Sequence, residues 1–248
     1  MILEHTRLIA HQLRLFGVHA NLERRADEAL ANQMHPLEFL RLLLEDEVLA
    51  RKDRVAKTLA TRAGFRSSAE VDDWDSTFDR GIAKPKLKEL ASLGFFANKE
   101  NLLLFGKTGE GKSHLAVALG RRLCAEGIPT TFVTVNLLFE EVAAAKAAGK
   151  YLQLLRQLNK AKVLILDDFG LRSYTHDEAT ALVDLLEDRY QHGVVIVTSQ
   201  VDSRGWNKLF EDPVVAEAIV DRLVHPSQRI ILKGGSYRER MSNARKAS

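Results

Sequence analysis

Residues 106–113 read Gly-Lys-Thr-Gly-Glu-Gly-Lys-Ser, a G-x-x-x-x-G-K-[ST] spacing. That pattern suits one task, the cradling of phosphate. Gly106, Gly109 and Gly111 let the backbone curl so that N–H groups converge on an anion, with Lys107, Thr108 and Glu110 completing the loop. Lys112 would reach the β- and γ-phosphates of ATP, and the Ser113 hydroxyl would ligate Mg2+. Further on, Lys-Val-Leu-Ile-Leu-Asp-Asp ends an apolar run in two carboxylates. Asp167 is expected to hold Mg2+ through water, and Asp168 to orient and deprotonate an attacking water. Ser199 and Gln200 close a third apolar run, and either could reach the γ-phosphate. Arg222 follows Asp221. A guanidinium there could act on a neighbouring subunit's nucleotide, or simply form a surface ion pair.

These residues need a scaffold that brings them together. Short apolar runs at 102–105, 128–135, 162–166, 193–198 and 229–232 alternate with helical stretches at 113–126, 136–158, 177–191 and 211–224. Such alternation implies an α/β fold with a parallel sheet of about five strands, covered on both faces. Both ligand sets must meet on one ion. The aspartate strand is therefore expected beside the first strand, in a sheet of order 5-1-4-3-2.

The region upstream is helical. Helices are expected at 2–16, 20–32 and 36–63, the last carrying Leu37, Leu40, Leu44, Val48, Arg51, Val55 and Leu59 at spacings of 3 and 4. Residues 66–84 are polar and broken, with Trp74 and Phe78 as their only large apolar residues. Pro85 opens a short helix that Gly94 closes. The expected organisation is a helical DNA- or partner-binding domain over 1–66, a linker and entry segment over 67–99, and an ATPase core with a basic tail over 100–248.

With 46% hydrophobic and 28% charged residues among 248, the chain has ample material for a core, so disorder throughout is excluded. A single cysteine, Cys124, excludes an intramolecular disulfide and a cysteine-based zinc site. No run of about 18 apolar residues suggests a membrane span, and charges near the N-terminus break any signal-peptide core. A cytoplasmic location is expected. The net charge of +3 is unevenly placed. Residues 222–248 hold seven basic side chains against one acidic, and residues 51–66 hold six against one. Polyanion binding would account for this through Arg51, Lys52, Arg54 and Lys57 and, in the tail, Arg238 and Arg240. A solvated helix end and a basic tail would also account for it, and charge alone favours that reading.

Four stretches carry a family resemblance: GKTGEGKSHLAVALG, KVLILDDFG, VTSQ and EDPVVAEAIVDRLVHPSQRIILKGGSYRER. They resemble the IstB-like helper ATPases of insertion sequences, close to the DnaC-type helicase loaders within the AAA+ class. The segment from Asp72 to Gly106 is similar to that family's entry into the ATPase core. The resemblance implies a AAA+ ATPase that forms ATP-dependent homo-oligomers on duplex DNA. It would assist an integrase-type transposase in choosing its target. It also implies phosphate binding at Gly106–Ser113, Mg2+ and water activation at Asp167 and Asp168, a γ-phosphate sensor at Ser199–Gln200 and an inter-subunit arginine at Arg222. Many related ATPases carry Glu where Asp168 stands, one methylene longer, so the water must sit nearer or hydrolysis be slow. Many AAA+ proteins carry Asn at the sensor place, which Gln200 departs from while fitting the IstB branch. The stretch after Leu232 is short for the usual helical lid, leaving Arg238 as the nearest candidate for a lid arginine. Two other functions fit parts of the pattern: a replicative helicase loader and a small-metabolite P-loop kinase. The kinase reading lacks an evident acceptor pocket.

Overall fold

The computed structural model describes residues 2–75, 78–190 and 192–237. The chain divides into two compact units. One comprises the residues up to Thr58 with Ala125–Gly127; the other comprises Leu59–Cys124 and the chain from Ile128 onward.

The first unit is built from α1 (Ile2–Gln12), α2 (Phe16–Ala31) and most of α3 (Pro36–Arg62). Its core is small: Ala10, Val18, Leu22 and Leu43, with Leu15 and Phe39 packed against them. The apolar stripe read from the sequence is not the face that packs. Leu37, Leu40, Leu44, Val48 and Val55 are all exposed, whereas Leu43 and Glu47 are buried. Polar contacts set that rotation. Glu47 accepts the Gly17 and Val18 N–H groups at 2.7 and 3.4 Å, capping the start of α2, and also accepts Arg51 Nε at 2.7 Å. Arg25 clamps Asp46 through both Nε and Nη2, at 2.8 and 2.9 Å. Gly17 permits this close approach, because a Cβ there would lie 2.6 Å from Glu47 Cα. The exposed leucines instead line an open groove on α3 with Arg41, Glu45 and Lys52.

The second unit is a parallel sheet of β1 (Asn101–Phe105), β2 (Thr130–Thr134), β3 (Val163–Phe169), β4 (Val194–Ser199) and β5 (Ser227–Ile231). The spatial order is β2-β3-β4-β1-β5, the expected 5-1-4-3-2. The aspartate strand β3 is nevertheless not beside β1, as had been expected; β4 lies between them. Alternate strand residues feed two apolar layers. Leu103, Leu164, Leu166, Val195 and Val197 join one, with α7 (Val135–Ala147), α8 (Tyr151–Asn159), α9 (His176–Arg189) and α10 (Pro213–Val224). Leu102, Leu104, Val163, Ile165, Val194 and Ile196 join the other, with α4 (Lys84–Ala91), α5 (Gly94–Ala97) and α6 (Lys112–Ala125). Two covered faces explain why the strands read as continuous apolar runs.

Two local expectations are corrected, and one element is added. The stretch 136–158 is two helices, because Gly149 at φ +66° ends the first. Gly94 starts α5 rather than only closing α4. A 3-10 helix, Ser203–Leu209, follows β4 and buries Trp206 completely against Phe169 and Phe105. Among the described residues no helix is long and apolar enough to cross a membrane.

Candidate nucleotide site

Strand β1 is buried along its whole length and ends at Phe105, so the loop that follows is anchored in the core. Gly106, Gly109 and Gly111 have φ of +152°, +87° and +98°, a region that favours glycine. At Gly106 space is also required: a Cβ would lie 3.0 Å from Leu232 O. The loop is braced from within. The Lys107 N–H donates to Glu110 Oε2 at 2.5 Å, and Lys112 Nζ donates to Lys107 O at 2.9 Å. Beyond β5, the Tyr237 N–H donates to Gly109 O at 3.0 Å. Helix α6 starts at Lys112, so its positive N-terminal end faces the loop.

The end of β3 holds the second half of the site. Leu166 pairs with Val197 and Phe169 with Ser199, so Asp167 and Asp168 together stand opposite Thr198 alone. This is a bulge, and it breaks the alternation that would send neighbouring side chains to opposite faces. Asp168 takes φ +60°, a strained conformation of the kind that collects at functional sites. Thr198 bridges the two aspartates. Its Oγ1 donates to Asp167 Oδ1 at 2.6 Å and accepts the Asp168 N–H at 3.0 Å. The intervening strand β4 thus supplies the tie between the aspartates and the rest of the sheet.

Lys112, Ser113, Asp167, Asp168 and Gln200 line one cleft of about 510 Å3. Gln200 Oε1 accepts the Thr108 hydroxyl at 2.9 Å, linking the end of β4 to the phosphate loop. Ser199 is turned away: its hydroxyl donates to Phe169 O and Val201 O at 2.7 and 2.9 Å and it is fully buried.

One wall of the cleft comes from the strap between α3 and α4. Arg80, 3% exposed, lies 3.4 Å over the Trp74 ring and 4.7 Å from that of Tyr237, with its Nε unpartnered among the described residues. Burial holds its guanidinium below the usual arginine range. His114 lines the same cleft; burial, then the charge of Arg80, holds its imidazole below the ordinary histidine value. Thr198, Arg80 and His114 were not anticipated from the sequence. The polar end of β4 hinted at Thr198, and the lone Trp74 marked the strap as anchored.

Arg222 lies elsewhere. Its carbonyl accepts Asn101 Nδ2 at 2.9 Å, so it sits where the strands start, while the phosphate loop sits where they end. Its guanidinium pairs with Glu187. Of the basic candidates on α3, Arg51 pairs with Glu47, Arg54 lies 4.5 Å over the Phe16 ring and Lys52 lines the leucine groove. Lys57 is exposed. Arg238 and Arg240 lie outside the described residues.

The donor set suits Mg2+. Ser113 and Asp167 offer hard oxygens, and Mg2+ takes few protein ligands alongside phosphate and water. No cluster of three His, Cys, Asp or Glu able to hold a metal occurs among the described residues.

A glycine-rich loop after β1, a polar bulge ending β3 and this strand order define a P-loop nucleotide-binding protein of AAA+ type. Solved structures share the fold. DnaI superposes with a TM-score of 0.58 at 21% identity, covering 67% of this chain and 92% of that one. The DnaC helicase loader gives 0.55 at 19%, covering 66% and 97%. DnaA from Aquifex aeolicus with AMPPCP gives 0.56 at 13%, covering 74% and 56%. Sequence relatives narrow the class. A protein from Mycobacterium tuberculosis, provisionally named an ATP-binding protein in an insertion sequence, is 34% identical across 95% of this chain and 94% of its own length. The provisionally named IS21 ATP-binding protein of Pseudomonas aeruginosa is 32% identical across 93% and 87%. The model of the IstB-like ATP binding proteins matches residues 8–245, and the chain belongs to that family.

Proposed function

We propose that the protein hydrolyses ATP with Mg2+, assembles with ATP into homo-oligomers on duplex DNA, and helps an integrase-type transposase select its target in the cytoplasm. The observation that carries the ATPase reading is the β3 bulge. It places two adjacent carboxylates in the cleft that also holds Lys112 and Ser113.

Each residue then has a task. Main-chain N–H groups of the loop hold the phosphates, and the Lys112 ammonium offsets charge on the β- and γ-oxygens. Ser113 and Asp167 would hold Mg2+, which neutralises charge developing on the phosphates when bound. Asp168 accepts a proton from water as its oxygen attacks the γ-phosphorus, and the bond to the β-phosphate oxygen breaks to release ADP. Gln200, tied to Thr108, orients the γ-phosphate or the water. Ser199 acts only indirectly, by fixing the turn after β4. Arg222 would serve a neighbouring subunit's nucleotide, since its own lies at the far edge of the sheet.

The family supports the insertion-sequence role, and the exposed leucine groove of α3 supports association, because large apolar patches mark interaction surfaces. DNA contact is assigned to Lys52, Lys57, Arg51 and Arg54 of α3 and to Arg238 and Arg240 of the tail. The test is electron microscopy with duplex DNA and a non-hydrolysable ATP analogue, alongside ATPase assays. Lys112→Ala should abolish nucleotide binding and assembly, and Asp168→Asn should assemble yet hydrolyse slowly. An Asp168→Asn variant turning over at the wild-type rate would remove Asp168 from the chemistry. The shared fold with the DnaC loader favours a second reading, loading of a replicative helicase. A helicase gene beside this one would support it; a transposase gene would support the first.

A further inference from the structure

We propose that Arg80, on the strap between α3 and α4, binds the α-phosphate of the ATP held in the same chain's cleft. This rests on the reading of the cleft as an ATP site. The phosphate loop has two flanks. On one, the Thr108 hydroxyl meets Gln200 at the end of β4, beside the paired aspartates. On the other, the strap lies against Gly111: a Cβ there would be 3.0 Å from Arg80 Nη1 and 3.5 Å from the Trp74 ring. The aspartates assign the γ-phosphate and Mg2+ to the first flank. A triphosphate laid across the loop therefore brings its α-phosphate to the second.

The second flank is built for an anion. Arg80 is 3% exposed yet lines the cleft. Among the described residues its one hydrogen bond is a long one, from Nη2 to the Asp75 carbonyl at 3.3 Å, and no carboxylate accepts from it. Its Nε, and His114 Nε2 on the same wall, are buried without partners among the described residues. The charge of Asp75 offsets the cost of burying the guanidinium only in part, since burial still holds it below the usual arginine range. A buried cation in this state lacks the acceptor that a phosphate oxygen would supply. The side chain is also set in place beforehand. It stacks 3.4 Å over Trp74 and 4.7 Å from Tyr237, and the Arg80 carbonyl accepts the Lys233 N–H at 2.9 Å. Little side-chain freedom is then lost on meeting the ligand. His114 is no substitute cation, because burial and the charge of Arg80 hold its imidazole below the ordinary 6.5, neutral near pH 7. Arg66 also lines the cleft, but it is exposed and donates to Thr134 Oγ1 of β2 at 3.3 Å.

The α-phosphate keeps its charge while the γ-phosphoryl group is transferred, so this contact adds binding that is equal in the ground and transition states. The experiment is titration calorimetry of the full chain as wild type, Arg80→Gln and Arg80→Lys, alongside steady-state hydrolysis. The ligands are ATP, ADP and both diastereomers of ATP carrying sulfur in place of a non-bridging oxygen on the α-phosphorus. Arg80→Gln should weaken ATP and ADP by the same factor, about tenfold, with the loss in KM rather than kcat, and Arg80→Lys should recover part of it. In wild type one α-sulfur diastereomer should bind more weakly than ATP, and in Arg80→Gln that difference should vanish. If Arg80 only fastened the strap, ATP and that analogue would weaken alike and keep their wild-type ratio, which would overturn the proposal. Loss of ATP affinity with ADP affinity kept would move Arg80 to the γ-phosphate, also against it. Unchanged binding of both nucleotides by Arg80→Gln would overturn it and leave the ATP reading standing. No binding of either nucleotide by wild type would overturn that reading and the proposal with it.

Discussion

Thr198 carries two hydrogen bonds that fix the paired aspartates, one to the Asp167 carboxylate and one from the Asp168 N–H. Replacing it with valine keeps the shape and removes both. Thr198→Val should raise the Mg2+ concentration needed for half-maximal hydrolysis and slow turnover about tenfold. ATP binding without metal should change little, and Thr198→Ser should restore both properties. A magnesium titration of the rate checks this, and an unshifted curve would remove Thr198 from the site. The phosphate-loop residues and both aspartates were legible in the sequence because their chemistry demands particular types at particular spacings. Thr198 and Arg80 were not. The first acquires its role from a bulge that local sequence does not announce, and the second from a strap that brings residue 80 back over Gly111. Ser199 was legible only as a polar strand end, and its hydroxyl proves to serve the turn.

Helix α3 shows how an element can be located and yet misoriented. Its span was predicted to within a residue or so, but periodicity marks an apolar stripe without saying what it faces. The packed face is chosen by Glu47, Asp46 and the bare backbone at Gly17. Gly17→Ala should therefore destabilise the first unit by ~1–3 kcal/mol, measured by denaturant unfolding, since the new methyl meets backbone that cannot yield. Burial alone would raise the Glu47 carboxyl, yet Arg51 and the Gly17 and Val18 N–H groups hold it below its ordinary value of 4.5. Its stabilising contribution is thus full above that value and lost as pH falls through the lower, folded one. Amide exchange in α2 should accelerate over that acid window, and Glu47→Gln should flatten the dependence. A wild-type response from Glu47→Gln would assign the acid sensitivity elsewhere.

For the whole molecule, the sequence conveyed the alternation of strands and helices, the strand order and the uneven charge. The expectation that the aspartate strand lies beside β1 is at odds with that same order, in which β4 stands between them; the requirement that both ligand sets reach one ion does not demand adjacent strands, because loop and bulge extend beyond the strand ends. The basic end of α3 is partly committed to structure, with Arg51 on Glu47 and Arg54 over Phe16. Lys52→Ala with Lys57→Ala should therefore weaken duplex binding without loss of fold. It should lower the slope of log affinity against log salt by up to about two. An unchanged slope would exclude both lysines from phosphate contact. Everything above depends on one triphosphate and one Mg2+ being held between the glycine loop and the β3 bulge. Titration calorimetry of the full chain with ATP and Mg2+ tests this directly. One site per chain, lost in Lys112→Ala and weakened in Asp167→Asn only when metal is present, is the predicted result. Equal binding by wild type and Lys112→Ala, or none by either, would contradict it.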